Sequence, residues 1–439
     1  MIYRPLYVEK ILAYQDAPFV KILTGMRRCG KSTLLKMLAK KLKEQGVPSE
    51  RILQYSFDSL EHAQIHTAKR LFAEIQRHLA AGKTYIFLDE IQNVHSWEKA
   101  VNALLVGHDV DIYATGSHSQ MLAPEISAHL AGRYVCIPIY PLSFAECLAF
   151  RKTFAPPQDP HAELANYLRL GGFPAVHLRR YSPEEAYTMV RDICYSTIFT
   201  EVMRRGKIRK AHALERILQF AFAHVGEAIS VSGKGLKSET DAVRCEKAYR
   251  YLAKLESAYI LNRCPRYDLQ AKKPLKAQEK FYLADSALRY SVLGYTPDSV
   301  FPMLENAVYL ELLRRGYTVS TGKLEHGEID FVAQSGKTSC TFKWRRNLAP
   351  LKRKSVHTGG FWIFGTIIPN TCCAPTITRA AITRECKFSM PPTFSSATHT
   401  NFHVKRSFRR SKQNRFLWPG LNSRFLSQLP KIPFPCLVA

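Results

Sequence analysis

The chain has 439 residues, an apolar fraction of 46% and a net charge of +27, from 63 Lys and Arg against 36 Asp and Glu. Such numbers imply a globular protein of about two to four domains, and no run nears the ~18 apolar residues of a membrane span. The first ten residues lack the apolar stretch of a signal peptide, so a cytoplasmic protein with no membrane partner is expected.

Residues 1–150 alternate short β-rich runs with amphipathic stretches, which predicts an α/β domain on a parallel sheet. The predicted strands are Phe19–Thr24, Ile52–Phe57, Tyr85–Leu88, Asp111–Thr115 and Tyr134–Ile137. A helix is predicted over Ser32–Gln45, where Leu34, Leu35, Leu38 and Leu42 share one face. Between the first strand and this helix lies Gly25-Met-Arg-Arg-Cys-Gly30-Lys31-Ser32, which fits G-x4-G-K-[ST] in the strand-loop-helix setting that a P-loop requires. Glycines let backbone N–H groups wrap phosphates, and the helix adds the positive end of its dipole. Gly25, Cys29, Gly30, Lys31, Ser32 and Thr33 are the candidate nucleotide ligands. Lys31 is expected to bridge the β- and γ-phosphates, and Ser32 to ligate Mg²⁺.

Tyr85-Ile-Phe-Leu-Asp89-Glu90 is an apolar strand ending in two acids. Asp89 is the expected second Mg²⁺ partner, through water, and Glu90 the group that polarises the attacking water. No Asn-Lys-x-Asp guanine-reading motif is present, which favours ATP over GTP. The next strand ends in Thr115-Gly-Ser117, with Ser117 the first candidate for contact with the γ-phosphate or the water and Thr115 the second. Arg133 is a candidate arginine finger, in cis or from a neighbouring subunit.

Three prolines between Ala155 and Pro160 mark a linker. The segment 161–290 reads as mainly helical, with helices over Ala162–Leu170, Glu184–Val202, Ala211–His224 and Cys245–Tyr259. The segment 291–337 turns mixed, with a helix over Met303–Arg315 and strands over Tyr317–Ser320 and Ile329–Ala333.

Composition changes after Lys337. From Thr338 to Ala439 there are 17 Lys and Arg against one acid, Glu385, so this segment holds +16 of the net charge. It also holds five of the eleven Cys and three of the four Trp, without helical or strand periodicity. No CxxC pair suggests zinc. The codons of Cys340-Thr-Phe-Lys-Trp-Arg345, read one base earlier, allow Val-Tyr-Ile-Gln-Val-Ala, a well-formed strand. A frame shift near Lys337 or Thr338 is therefore the preferred reading of 338–439; a basic arm and a divergent domain are the alternatives.

The phosphate loop, Leu88-Asp-Glu-Ile-Gln-Asn-Val94 with Trp97, Thr115-Gly-Ser117, Leu130-Ala-Gly-Arg133 and Tyr140-Pro-Leu-Ser-Phe144 together resemble one group of prokaryotic AAA-superfamily ATPases. The likeness continues through Tyr167-Leu-Arg-Leu-Gly-Gly-Phe-Pro174, Phe281-Tyr-Leu-Ala-Asp285 and Glu328-Ile-Asp-Phe-Val-Ala333. It implies a P-loop domain of the additional-strand, catalytic-Glu type, a winged-helix middle region and a C-terminal restriction-endonuclease-like domain. His118 stands where these proteins usually carry Asn. The winged helix would lie around Ala228–Leu261, and Lys234, Lys237, Arg244, Lys247, Arg250 and Lys254 would offer DNA a positive surface. Glu305 and Asp330 match the first acids of a nuclease site, but the further acid and Lys are missing, so cleavage is not expected. The resulting expectation is a Mg²⁺-dependent ATPase switch acting on a nucleic-acid or protein partner, with homo-oligomerisation open. The alternatives are a DNA-binding module whose assembly is ATP-gated, and a damaged product that keeps only ATP binding.

Overall fold

The computed structural model describes residues 2–342 except 123–127, 131, 155, 157–158, 205, 207, 209, 230–244, 269–272, 325–326 and 336–337. Two sheets organise them. The first is built from β1 (Val20–Thr24), β2 (Ile52–Ser56), β3 (Thr84–Asp89), β4 (Val110–Gly116) and β5 (Tyr134–Pro138), all parallel, in the order β2-β3-β4-β1-β5. Each predicted strand of the first domain is present. The parallel sense follows from helical crossovers, the first being Lys31–Glu44 between β1 and β2.

The inner strands β1, β3 and β4 are buried along nearly their whole length because both faces are covered. Period-two alternation divides their side chains between two cores. Val20, Ile22, Ile86, Leu88, Ile112 and Ala114 face one core, together with Trp97 and Leu104 of the helix Trp97–Gly107. Leu23, Tyr85, Phe87 and Tyr113 face the other, against Leu34, Leu35, Leu38 and Leu42. Burial of each large aliphatic side chain contributes about 1.5–3 kcal/mol. β4 lies between β1 and β3, so the loops that leave β1 and β3 flank its C-terminal end.

The second sheet runs β11-β10-β9-β7-β8-β6, from β6 (Ala228–Ile229), β7 (Leu261–Asp268), β8 (Lys273–Leu283), β9 (Thr318–Leu324), β10 (Gly327–Ser335) and β11 (Thr338–Phe342). It changes two of the expected boundaries. β7, from the segment 161–290, pairs in parallel with β9, from the segment 291–337. One apolar core runs from Phe173 to Ala333 through both segments, so they share a sheet and a core. β11 extends the sheet past Lys337, pairing Thr338–Phe342 antiparallel with Phe331–Ser335. Residues 343–439, most of the segment read as frame-shifted, lie outside the described residues, as do Lys234, Lys237 and Arg244 of the expected winged helix.

The predicted helix over Glu184–Val202 is two elements. An α-helix spans Pro183–Thr197, opened by a capping box between Ser182 and Glu185. A π-helix follows over Ile198–Arg204. Its wider turn cannot be told from an α-turn by apolar spacing. Among the described residues no helix is long and apolar enough to cross a membrane.

The second unit packs directly onto the phosphate loop. Met26 joins the core that contains Phe173. Leu142 N–H donates to Gly172 O at 2.7 Å, and a Cβ on Gly172 would lie 2.2 Å from Leu142 O. Gly172 N–H donates to Asp285 Oδ2 at 2.6 Å, while Asp285 Oδ1 accepts from Ala287 N–H at 2.9 Å and caps the helix Ser286–Leu293. Thus Leu170-Gly-Gly-Phe-Pro174 and Phe281-Tyr-Leu-Ala-Asp285, far apart in sequence, meet beside the loop. Burial pushes the Asp285 carboxyl up to about 7, against its two backbone donors.

A candidate nucleotide site at the ends of β1, β3 and β4

The loop after β1 bends through residues of positive φ. Gly25 has φ 146°, and a Cβ there would lie 2.2 Å from Ile139 O. Arg28 has φ 64° and Gly30 has φ 103°; Gly30 caps the helix Lys31–Glu44 without a side-chain bond. The first N–H groups of that helix therefore keep their capacity for an anion. Cys29 is fully buried, and its carbonyl accepts from Arg4 Nη1 at 3.0 Å. Burial pushes its thiol up, so its contribution to a phosphate site is backbone rather than sulfur. Thr33 is exposed on the first helical turn.

Lys31 lies across the loop. Its Nζ donates to Gly25 O at 2.9 Å, Met26 O at 3.1 Å and Ser117 Oγ at 3.0 Å. Ser117 Oγ lies 2.8 and 3.1 Å from the two carboxylate oxygens of Glu90 and donates to that group. Lys31 Nζ is 3.9 Å from Glu90 Oε1. Gln92 Nε2 also donates to Glu90. Burial alone would raise the Glu90 carboxyl, but Lys31, Ser117, Gln92 and Arg27 outweigh it and hold the group below its ordinary value. Glu90 is thus an ionised acceptor in a largely buried setting.

A second set of oxygens surrounds Asp89. Its Oδ1 accepts from Ser32 Oγ at 3.0 Å and Thr115 Oγ1 at 2.6 Å, and Thr115 Oγ1 also accepts from Glu90 N–H at 2.9 Å. Burial raises the Asp89 carboxyl, and the two hydroxyl donors oppose that shift. Both hydroxyls of Thr115-Gly-Ser117 are therefore engaged: Thr115 serves Asp89 and Ser117 serves Glu90. His118 is buried next to them.

Lys31, Ser32, Asp89, Glu90 and Ser117 come together as the sequence predicts; Arg133 does not. It is exposed at the start of β5 and donates to Asn102 Oδ1 at 3.0 Å. Pro138, at the other end of that strand, pairs with Thr24 beside the loop. At about 3.3 Å per residue, roughly 16 Å of strand separate Arg133 from the loop end. In cis, Arg133 is at the wrong end of the sheet.

Sequence reasoning missed three groups that hold the loop. Arg4, 2% exposed, donates to Cys29 O and Tyr140 O and pairs with Glu146 at 2.7 Å. Arg27, inside the phosphate loop, pairs with Asp58 at 3.4 Å and with the buried Glu201 of the π-helix at 3.3 Å. Arg314 donates to Pro141 O at 3.0 Å from the helix Val300–Arg314. The Arg-Arg inside the loop motif is the one sequence signal that could have pointed to Arg27. At the nuclease-like positions, Glu305 accepts from Tyr282 Oη at 2.7 Å and lies 3.8 Å from Lys280, which also pairs with Glu328. Among the described residues no three His, Cys, Asp or Glu are grouped to hold a metal ion.

The AAA domain family matches residues 18–148, and a domain of unknown function (DUF8612) matches residues 161–299. An uncharacterized protein of Haemophilus influenzae is 35% identical over 338 residues, covering 76% of this chain and 84% of that one. The uncharacterized protein MJ1544 of Methanocaldococcus jannaschii is 26% identical over 333 residues, 71% of each chain. Among solved structures, the Walker-type ATPase PABY2304 of Pyrococcus abyssi aligns with TM-score 0.46 and 15% identity over 66% of this chain and 96% of that one. The chain belongs to the family of the Haemophilus influenzae protein, and its N-terminal part is a P-loop domain of the AAA ATPase type.

Proposed function

We propose that the chain binds ATP with Mg²⁺ and hydrolyses it, and that the cycle drives a conformational switch toward a nucleic-acid or protein partner. The observation that carries this reading is the pair of relays at one end of the sheet: Lys31–Ser117–Glu90 and Ser32–Asp89–Thr115. The donors suit the metal. Mg²⁺ prefers hard oxygens and retains water and phosphate ligands, so Ser32 Oγ and Asp89 would hold it without a carboxylate cage. When bound, it would neutralise charge on the β- and γ-phosphates.

The chain's own residues do the rest. Lys31 exchanges its carbonyl and Ser117 bonds for phosphate oxygens and compensates their charge. Glu90, ionised and no longer facing the Lys31 ammonium alone, accepts a proton from an attacking water as general base. Ser117 keeps the Glu90 carboxylate aimed, and Gln92 fixes its second oxygen. The switch has a route into the second unit, because Gly172, Asp285 and Arg314 contact the segments that brace the loop. An arginine finger from Arg133 would require a neighbouring copy.

The test uses the full chain. Phosphate release should require both ATP and Mg²⁺, and Lys31→Ala should abolish ATP binding by titration calorimetry. Unchanged binding by Lys31→Ala would overturn the assignment of the loop.

A further inference from the structure

Next to Glu90 the site opens into a polar cavity of about 470 Å³. Its lining comes from separate parts of the chain: Arg27 of the phosphate loop, Asp58 after β2, Gln92 and Asn93 just beyond Glu90, and Thr200 and Arg204 of the π-helix. Gln92 is the link to the chemistry, because the same side chain that lines the cavity donates to the Glu90 carboxylate.

The two guanidinium groups of the cavity differ. Arg27 is committed, at 3.4 Å from Asp58 and 3.3 Å from Glu201, whose side chain is fully buried. Arg27 is thus held between two carboxylates, one of them fully buried. Arg204 is exposed and makes no hydrogen bond or ion pair among the described residues. The π-helix sets this division. Its wide turn places Glu201 inside, against Arg27, and leaves Arg204 on the cavity side three residues later. Beside the phosphate loop the cavity therefore carries one guanidinium, that of Arg204, with no direct partner among the described residues.

We propose that this cavity receives the γ-phosphoryl end of ATP and that Arg204, supplied in cis by the π-helix, faces the transferred group. The proposal deepens the ATPase reading and rests on it. Phosphoryl transfer spreads negative charge over the equatorial oxygens, and a guanidinium matches that geometry with several N–H donors at once. Arg204 is a catalytic residue of this site, facing the γ-phosphoryl oxygens from the cavity side, whereas Arg133 is too distant to act in cis.

The experiment compares wild type, Arg204→Ala and Arg204→Lys as full chains. An exposed side chain without partners among the described residues can be removed without loss of fold, so unchanged thermal midpoints are the control. Turnover by Arg204→Ala should fall about 100-fold or more while ATP affinity stays within about threefold, and Lys should restore only part of the rate, as expected for a finger. Turnover within about threefold of wild type would overturn the proposal. Mixing Arg204→Ala with Glu90→Gln tests the cis assignment: no recovery agrees with it, and recovery moves the arginine to a neighbour and overturns it. Wild-type protein that turns over no ATP would defeat the ATPase reading itself. Affinity for ADP with aluminium fluoride, against ADP alone, then still judges Arg204. Selective loss of the fluoride complex in Arg204→Ala supports the assignment, and an unchanged ratio refutes it.

Discussion

Ser117 joins the two opposite charges of the site, and its removal has a size that can be worked out. In Ser117→Ala, Lys31 loses a 3.0 Å bond and Glu90 loses its 2.8 Å donor, both in a fully buried setting. Bonds to charged groups contribute about 1.5–3 kcal/mol each. Lys31 keeps two carbonyls and Glu90 keeps Gln92, and the two charges remain 3.9 Å apart, so part of the loss is recovered. A net destabilisation of about 2–4 kcal/mol is expected without nucleotide. With ATP present Lys31 turns to the phosphates, so what remains is the loss of aim at Glu90, expected to lower turnover about 10- to 100-fold. Urea denaturation and phosphate release on Ser117→Ala, Glu90→Gln and the double variant form a thermodynamic cycle. The coupling energy should exceed about 1 kcal/mol in both measurements. Additive effects would refute the relay.

Further outcomes follow from contacts around the site. Gly172→Ala drives a Cβ to 2.2 Å from the Leu142 carbonyl, so it should lower stability by about 2–4 kcal/mol and weaken ATP binding through the loop, measured by calorimetry with and without nucleotide. His177, buried with Nε2 2.8 Å from Gly171 O, is held by burial at about 4, despite that bond. The unfolded chain takes up a proton near pH 6.5 that the fold resists until about pH 4, so His177 costs stability as pH falls through that window, by about 3 kcal/mol. His177→Gln should gain stability relative to wild type by that amount between pH 6.5 and 4; a constant difference would contradict the assignment. A chain ending at Phe342 should keep the stability of the full chain, whereas one ending at Lys337 loses β11 and uncovers the edge of β10, so its denaturation midpoint should drop. Both truncations remove all 17 Lys and Arg of the C-terminal segment, and salt-sensitive DNA binding should fall equally in each.

The candidate nucleotide site was legible because the chemistry proposed for it depends on residue types at fixed spacing. Gly25, Gly30, Lys31 and Ser32 sit between an apolar strand and an amphipathic helix, and Asp89 and Glu90 end a strand of unbroken apolar residues. The division of labour between Thr115 and Ser117 was not legible, since two hydroxyls two residues apart differ only in what each one faces. Arg133 looked suitable by type, yet its place just before the first residue of β5, rather than after the last, depends on where that strand meets β1. Arg4 lies more than 20 residues before the glycines, with no pattern joining them. The sharing of one sheet by β7 and β9 is a non-local pairing across a predicted boundary, which local periodicity cannot report.

The central claim is tested most directly by Glu90→Gln in the full chain, with ATP affinity and phosphate release measured side by side. Gln is the same shape but cannot take the proton from water, so ATP should bind within about threefold of wild type while turnover falls about 100-fold or more. Hydrolysis by Glu90→Gln at the wild-type rate would contradict the account.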